Sequence, residues 1–300
     1  MPELPEVEVV RAGLSQLITQ KIIKSVNVVN PKSLQASKQD LSAFVIGATI
    51  ISVRRRAKIL LIDLSTKYTL VIHLKMTGQL IFRHDKNSVN DFAGGHPDDS
   101  FISALPNSHT RILFVLMDNS SETANLFFND MRKFGWIKIL PTIALDEEKF
   151  IAKLGPEPFA GDPTEEFLRR IKRHPKSLIK SAILNQEIIA GIGNIYADEA
   201  LWLAQVHPAT RVQNLSDKKL QEILQSAISV MALSIKKGGS TDRNYLNTKG
   251  ERGSYLQFAK VFRKEGQPCA RCATTIEKIR VGGRGTHICP NCQKTKGAKK

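Results

Sequence analysis

Two cysteine pairs, Cys269-x2-Cys272 and Cys289-x2-Cys292, stand sixteen residues apart near the C-terminus, and the chain has no other cysteine. Four thiolates in two tight knuckles are the layout of a closed tetrahedral zinc site. Two disulfides, or four unrelated thiols, are the competing readings, and the N-terminus lacks the basic-then-apolar layout of a secretory leader that would favour disulfides. With all four coordination positions filled by protein, none remains for a reacting water, so the expected zinc is structural. It would fold residues 281–286, Val281-Gly282-Gly283-Arg284-Gly285-Thr286, as a hairpin. Glycines around Arg284 would let its guanidinium approach a phosphate closely, although an exposed hairpin arginine is also an ordinary thing to find.

Upstream of the knuckles the hydrophobic pattern divides in two. Short β-rich runs cover 22–29, 43–64, 68–76, 78–82, 111–117, 124–128 and 136–140, which points to an antiparallel sandwich or barrel rather than βαβ units. Residues 85–108 have little periodicity and read as a long surface loop or insertion. Past Leu140-Pro141 the pattern turns helical, at 146–154, 163–173, 177–186, 194–206 and 216–237. The last carries Leu220, Ile223, Leu224, Ala227, Met231 and Ile235 on one face, Ser216 as N-cap and Lys236-Lys237-Gly238 as a stop. The expected class is α+β. A leading helix and antiparallel β-sandwich occupy 1–140, a linker 141–158, a helical domain 159–260, a zinc finger 261–293 and a disordered basic tail 294–300. Within the helical domain, 239–253 is polar and glycine-bearing, a mobile loop by composition.

The other end of the chain is equally specific. Met1-Pro2-Glu3-Leu4-Pro5-Glu6 opens a helical pattern continued by Val7, Val10, Leu14, Leu17 and Ile18, with Pro5 suited to a first turn. If Met1 is removed, the terminus becomes a secondary amine beside a carboxylic acid, just ahead of a helix N-terminus that disfavours ammonium. Such an amine condenses with a carbonyl-like carbon to a charged iminium, a strong electron sink. A start codon followed by a proline-rich helix entry is the plain alternative.

Two further groups of residues suit a polyanion. Ala190-Gly191-Ile192-Gly193-Asn194 lies between two helical patterns, with Asn194 a good N-cap and Asp198 and Glu199 suited to the first turn. That makes a phosphate clamp or a plain helix connection. On the β-rich part, Lys58 follows Arg54-Arg55-Arg56, His73 and Met76 lie at a strand end, and Arg132-Lys133-Phe134-Gly135 forms a turn. An exposed Met, Arg and Phe could wedge into a duplex and fill the hole left by a flipped nucleotide; singly, Met76 and Phe134 would more often be core. The charge agrees: 44 Lys and Arg against 28 Asp and Glu leave +16, a prior for a polyanionic partner that ribosomal and membrane-surface proteins share. No apolar run is long enough to span a bilayer, and a cytosolic protein is expected.

Taken in order, PELPEVE, RRAK at 55–58, HLKMTG at 73–78, DMRKFG at 130–135, LGPEP at 154–158, AGIGNIYADE at 190–199 and RGTHICPNCQ at 284–293 resemble bacterial formamidopyrimidine-DNA glycosylase. The resemblance runs from one end of the chain to the other. It implies a monomeric repair enzyme of the bacterial cytosol, binding damaged double-stranded DNA in a basic cleft. There it removes oxidised purines such as 8-oxoguanine and formamidopyrimidines, then nicks the abasic strand by β- and δ-elimination. By position, Pro2 is the attacking amine, Glu3 the acid that assists sugar opening, Lys58 a phosphate-contacting proton carrier, and Arg284 the arginine linked to δ-elimination. His73, Lys180 and Asn194 match further phosphate contacts, with Lys176 and His109 as weaker matches. Met76, Arg132 and Phe134 match the residues that fill the void and read the opposite base, and 239–253 the loop over the damaged base. Cys269, Cys272, Cys289 and Cys292 match the ligands of one structural zinc. The segment before His109 is longer than the family pattern, so Asn107 could be the matched position. Asn185 and Phe262-Arg263 depart from it in places that leave the amine, the acid and the thiolates untouched. The rivals are an endonuclease VIII-like enzyme for oxidised pyrimidines and a non-catalytic DNA- or RNA-binding zinc protein, against which an intact Pro2, Glu3 and Lys58 argue.

Overall fold

Leu4–Ile18 form the first helix, α1, and its start is defined by a reciprocal cap. The Glu3 side chain accepts from the backbone at the third helical position, and the Glu3 N–H donates to Glu6 Oε2 at 2.9 Å. Pro5 sits in the first turn, where a missing N–H costs nothing. Val7, Val10, Leu14 and Ile18 recur at helical spacing and are all buried, so one stripe of α1 faces the core. Gly13 has no room for a Cβ because the Phe92 ring lies against it.

The computed structural model describes residues 2–84, 91–96, 104–240 and 254–294. They divide into two units: Met1–Ala152 with Ile235–Ser254, and Lys153–Ser234 with Tyr255–Lys300. In the first unit the strands are β1 (Ile22–Val28), β2 (Leu34–Gln35), β3 (Ile50–Arg56), β4 (Ile59–Leu64), β5 (Tyr68–His73), β6 (Gly78–His84), β7 (Phe92–Gly95), β8 (Thr110–Met117), β9 (Thr123–Asp130) and β10 (Trp136–Pro141). They make two five-stranded sheets, ordered β1-β8-β9-β6-β7 and β2-β10-β5-β4-β3. All pairings are antiparallel except β2 with β10. Both sheets and α1 contribute to one core, in which Leu60, Ile72, Leu80, Phe82, Phe114 and Phe128 are fully or almost fully enclosed. Each such side chain contributes about 1.5–3 kcal/mol by leaving water.

Two expectations are corrected here. Residues 85–108 are not loop throughout, because Phe92–Gly95 form an edge strand on β6, with Phe92 only 1% exposed under α1. The run 43–64 is not a single extended stretch: Leu41–Val45 make a π-helical turn, and Ala57 at φ 53° reverses the chain between β3 and β4.

The second unit contains α2 (Thr164–Ile171), α3 (Ile179–Leu184), α4 (Asn194–Leu203), most of α5 (Asp217–Lys236), and a hairpin of β11 (Glu277–Val281) and β12 (Arg284–Ile288). Residues 235–240 and Ser254 group with the first unit instead of the expected helical domain. The local reason is that the Ser240 N–H donates to Glu6 Oε1 at 2.9 Å, with Gly239 at φ +89° lying against the same side chain. No helix among the described residues is long and apolar enough to cross a membrane.

Candidate active site and metal centre

Pro2 and Glu3 are buried at the entrance of α1, Glu3 being 4% exposed. The backbone of Glu3 is held by Glu6, whose other oxygen takes the Ser240 amide, so one carboxylate fixes both the chain start and the first residues of 239–253. Glu6 is a positioning group that the sequence did not single out, although its place three residues after Glu3 is the signature of a capping box. Met1 and residues 241–253 lie outside the described residues.

Lys58 follows the Arg56-Ala57 reversal between β3 and β4 and is 7% exposed. Its turn is tied to α1 through charge. Arg55 donates from Nε to Glu8 Oε2 at 2.9 Å and from Nη1 to the Ala57 carbonyl at 3.0 Å. Burial pushes the Glu8 carboxyl up, but Arg11 and Arg55 more than offset it and leave it below the usual carboxylate range. In the same sheet Ile59 pairs with His73, and His73 with Trp136, which brings Lys58, His73 and the β9–β10 turn to one end of the sandwich. His73 Nδ1 accepts the Lys75 N–H at 3.0 Å. Burial, with Lys75 and Lys58 nearby, lowers its pKa to about 3, so at neutral pH the ring is uncharged and only Nε2–H is left to donate.

Met76 and Phe134 are 38% and 53% exposed, and Arg132 is exposed with its guanidinium carbon 4.8 Å from the Phe134 ring centroid. They are apolar and cationic groups presented to solvent, not core. Met131, 48% exposed on the same turn, is a further apolar side chain that spacing alone did not mark out. His109 lies in a turn where Asn107 Oδ1 accepts the His109 N–H at 2.9 Å, so the Asn107 side chain is engaged locally.

The second unit treats its expected phosphate contacts differently. Lys176 is exposed in the segment before α3. Lys180 is fully buried: its Nζ donates to Asp198 Oδ1 at 2.6 Å, Thr286 Oγ1 at 2.8 Å and the Gly285 carbonyl at 3.1 Å. It therefore has no surface to offer a phosphate, and its work here is to hold the strand next to Arg284. Asn194 is not the N-cap of α4; Gly193 is, without a side-chain cap, and Asn194 Nδ2 donates to the Gly285 carbonyl at 3.1 Å. Asp198 and Glu199 are likewise not exposed first-turn charges. Asp198 is enclosed and also accepts the His287 N–H at 2.9 Å. Glu199 accepts the amides of Lys260, Val261 and Phe262 at 2.8–2.9 Å, and burial raises its pKa despite them. Arg284, exposed, opens β12 directly after a two-glycine turn, Gly282 at φ 55° and Gly283 at φ 78°.

The four cysteine sulfurs lie within 4.8 Å of one another. Cys272 Sγ is 3.4 Å from Cys289 Sγ and 3.5 Å from Cys292 Sγ, and Cys269 is 3.9 Å from Cys292. A tetrahedron of sulfurs at the zinc–thiolate distance has edges of roughly 3.8 Å, so the set fits one zinc held by Cys269, Cys272, Cys289 and Cys292. Amides of Arg271 and Cys292 donate to knuckle sulfurs at 3.4 Å, and the Trp202 indole N–H donates to Cys269 Sγ at 3.4 Å, orienting the thiolates. Gln293 fastens the second knuckle to the segment after α4 by accepting the Cys289 N–H and donating to the Val206 carbonyl, each at 3.0 Å.

Three family models match the chain in succession. The formamidopyrimidine-DNA glycosylase N-terminal domain covers residues 1–137, the H2TH domain of the same enzyme 154–245, and a zinc finger found in FPG and IleRS 266–295. A curated relative from Streptococcus mutans, formamidopyrimidine-DNA glycosylase, is 41% identical over 298 residues, 98% of this chain and 100% of its own length. Among solved structures, Lactococcus lactis Fpg in complex with a DNA containing N7-benzyl-Fapy-dG matches with a TM-score of 0.83 and 31% identity, over 98% of this chain and 100% of that one. A complex of MutM with DNA containing carbocyclic 8-oxo-G matches with a TM-score of 0.82, the same identity and the same coverage.

Proposed function

The chain belongs to the formamidopyrimidine-DNA glycosylase family, DNA glycosylases with AP lyase activity, and we propose that it removes oxidised purines from duplex DNA and cuts the abasic strand by β- and δ-elimination. The observation that carries this reading is the buried Pro2-Glu3 pair at the reciprocal cap of α1, an arrangement with no bearing on DNA binding alone. Solved relatives in complex with DNA containing N7-benzyl-Fapy-dG and carbocyclic 8-oxo-G support this substrate class.

In the proposed sequence the target nucleotide leaves the stack, at a cost of a few kcal/mol that is lower for damaged pairs. Met76, Arg132 and Phe134 occupy the vacated position. The Pro2 nitrogen, freed by removal of Met1, attacks C1′. Glu3 gives a proton to the ring oxygen as the sugar opens, and the bond from C1′ to the base breaks. The resulting iminium acidifies the C2′ proton, Lys58 serves as the proton carrier, and the 3′ phosphate leaves. Arg284 supports loss of the second phosphate. His73, His109, Lys176 and Asn194 serve the backbone phosphates, His73 as a neutral donor. The zinc contributes structure: by folding the hairpin it holds Arg284 at its tip.

Borohydride trapping on a duplex with one 8-oxoguanine opposite cytosine, read by mass spectrometry, tests this. The expected result is a covalent adduct on Pro2 and none for a protein that retains Met1. Binding without any trapped adduct would end the lyase reading, and trapping only on pyrimidine lesions would transfer the chain to the endonuclease VIII-like class.

A further inference from the structure

Two turns at one end of the sandwich are built alike. Residues 74–77 carry the chain from β5 in one sheet to β6 in the other, and residues 131–135 carry it back from β9 to β10. Since β5 pairs with β10 and β6 with β9, the two crossings lie side by side, Gly78 opposite Asp130 and His73 opposite Trp136. Each has a lysine in the left-handed region directly before its exposed apolar residue: Lys75 at φ 51° before Met76, and Lys133 at φ 60° before Phe134. A non-glycine residue in that region is strained and persists only when its surroundings over-determine it. Each turn also closes on a glycine with no space for a Cβ, Gly78 against the Leu74 carbonyl and Gly135 with Phe128 Cζ at 2.7 Å.

What over-determines them is polar and buried. Asp130 is fully enclosed and Thr77 is 5% exposed. The Thr77 hydroxyl donates to Asp130 Oδ1 and accepts the Arg132 N–H at 3.1 Å. Asp130 Oδ1 shares that amide at 3.1 Å, its Oδ2 accepts the Gly135 N–H at 2.6 Å, and its carbonyl accepts from Arg111 Nε at 2.8 Å. The hydroxyl thus joins the Met76 turn to the turn bearing Arg132 and Phe134.

We propose that Thr77 is a specificity-determining positioning residue: with Asp130 it clamps the two turns into one rigid wedge, so that Met76, Arg132 and Phe134 enter a duplex in fixed register and Arg132 meets the opposite base at one distance. Met76 and Phe134 alone would fill space under any arrangement. Discrimination between opposite bases requires the Arg132 backbone to be fixed relative to Met76, and that is what the shared hydroxyl supplies. The proposal rests on the reading of these side chains as void-filling.

Thr77→Val keeps shape and removes the hydroxyl, while Thr77→Ser keeps the hydroxyl. The first measurement is the ratio of kcat/KM for 8-oxoguanine opposite cytosine and opposite adenine. Thr77→Val is expected to shrink it about tenfold, in line with loss of a hydrogen bond to a charged group, and Thr77→Ser to restore it. An unchanged ratio, including a parallel fall on both duplexes, overturns the clamp, because a merely structural role lowers both alike. The second measurement needs no chemistry: 2-aminopurine opposite a tetrahydrofuran site reports wedge entry by fluorescence at saturating protein. The expected result is a smaller change for Thr77→Val than for wild type and Thr77→Ser. Equal changes overturn the clamp even if cleavage differs. Wild-type protein that cuts neither duplex but shows this Thr77 dependence would sink the catalytic reading and leave the clamp standing.

Discussion

Lys58 in the first unit and Lys180 in the second are both nearly inaccessible, at 7% and 0%, yet the two units hold them by different means. The turn bearing Lys58 rides on a sandwich with one large apolar core cluster, and its polar ties, Glu8 to Arg55 to the Ala57 carbonyl, run along the end of the sheet. Lys180 lies inside its unit, facing Asp198 and Thr286. The apolar cluster beside the knuckles consists of Trp202, Val261, Cys269, Ile276 and Cys289, with Cys272 and Cys292 packed on it, too small a set to order a finger alone. The first unit therefore anchors the Lys58 turn on an apolar core with polar ties at the sheet end, whereas the second surrounds Lys180 with an enclosed carboxylate and hydroxyl beside the metal knuckles. A buried ion pair gives little net stability but makes each partner indispensable to the other.

The largest break in that comparison comes from zinc removal. Structural zinc supplies about 10–16 kcal/mol of apparent binding energy, which is folding energy for the segment it organises. Chelation is expected to abolish hydrogen-exchange protection across β11 and β12 and to weaken DNA binding, while protection of β4, β5 and β9 persists. Equal loss in both units would refute separate means of support. Next in size, Lys180→Met should cost the second unit about 3–5 kcal/mol in urea denaturation, because Asp198 is left buried and uncompensated. Adding Asp198→Asn should recover part of that. No recovery would mean that shape, not charge, holds this site.

The last test is a pH slope in the first unit. His73 titrates at about 3 when folded against about 6.5 when unfolded. Between those values the unfolded chain binds the extra proton, so this residue makes the folded unit more stable as pH rises from 3 to 6.5 and less stable as it falls. His73→Asn, whose Oδ1 can take the Lys75 amide, should flatten the acid side of a stability profile. An unchanged slope would remove His73 from the account.

Much of this was legible in the sequence, for reasons of range. The knuckles and the helix start around Pro5 depend on residues within a few positions of one another, and local spacing reports such things directly; the exposure of Met76 and Phe134 is not so local, since either alone suits a core and their turns are joined through Thr77 and Asp130. Lys180 and Asn194 bond Gly285, some ninety or more residues away, so spacing offered Asn194 only as an N-cap and could not foresee that the fold ties both side chains to the hairpin. Glu199 carries the same lesson, since its carboxylate suits a first helical turn but receives three amides from 260–262. β7 escaped because a four-residue edge strand ending in two glycines has almost no alternation to read.

The Glu6 carboxylate has a practical consequence for anyone handling the protein. One oxygen holds the backbone of residue 3 and the other that of residue 240, while Pro2 is itself buried. A purification tag or fusion partner joined ahead of Pro2 would consume its nitrogen and thread through this enclosure, straining the stem of 239–253 along with the helix entrance. A handle placed after residue 294 follows the knuckle secured by Gln293 and leaves the Pro2 nitrogen untouched. Recombinant preparations that differ only in the end carrying the tag should therefore behave as different proteins.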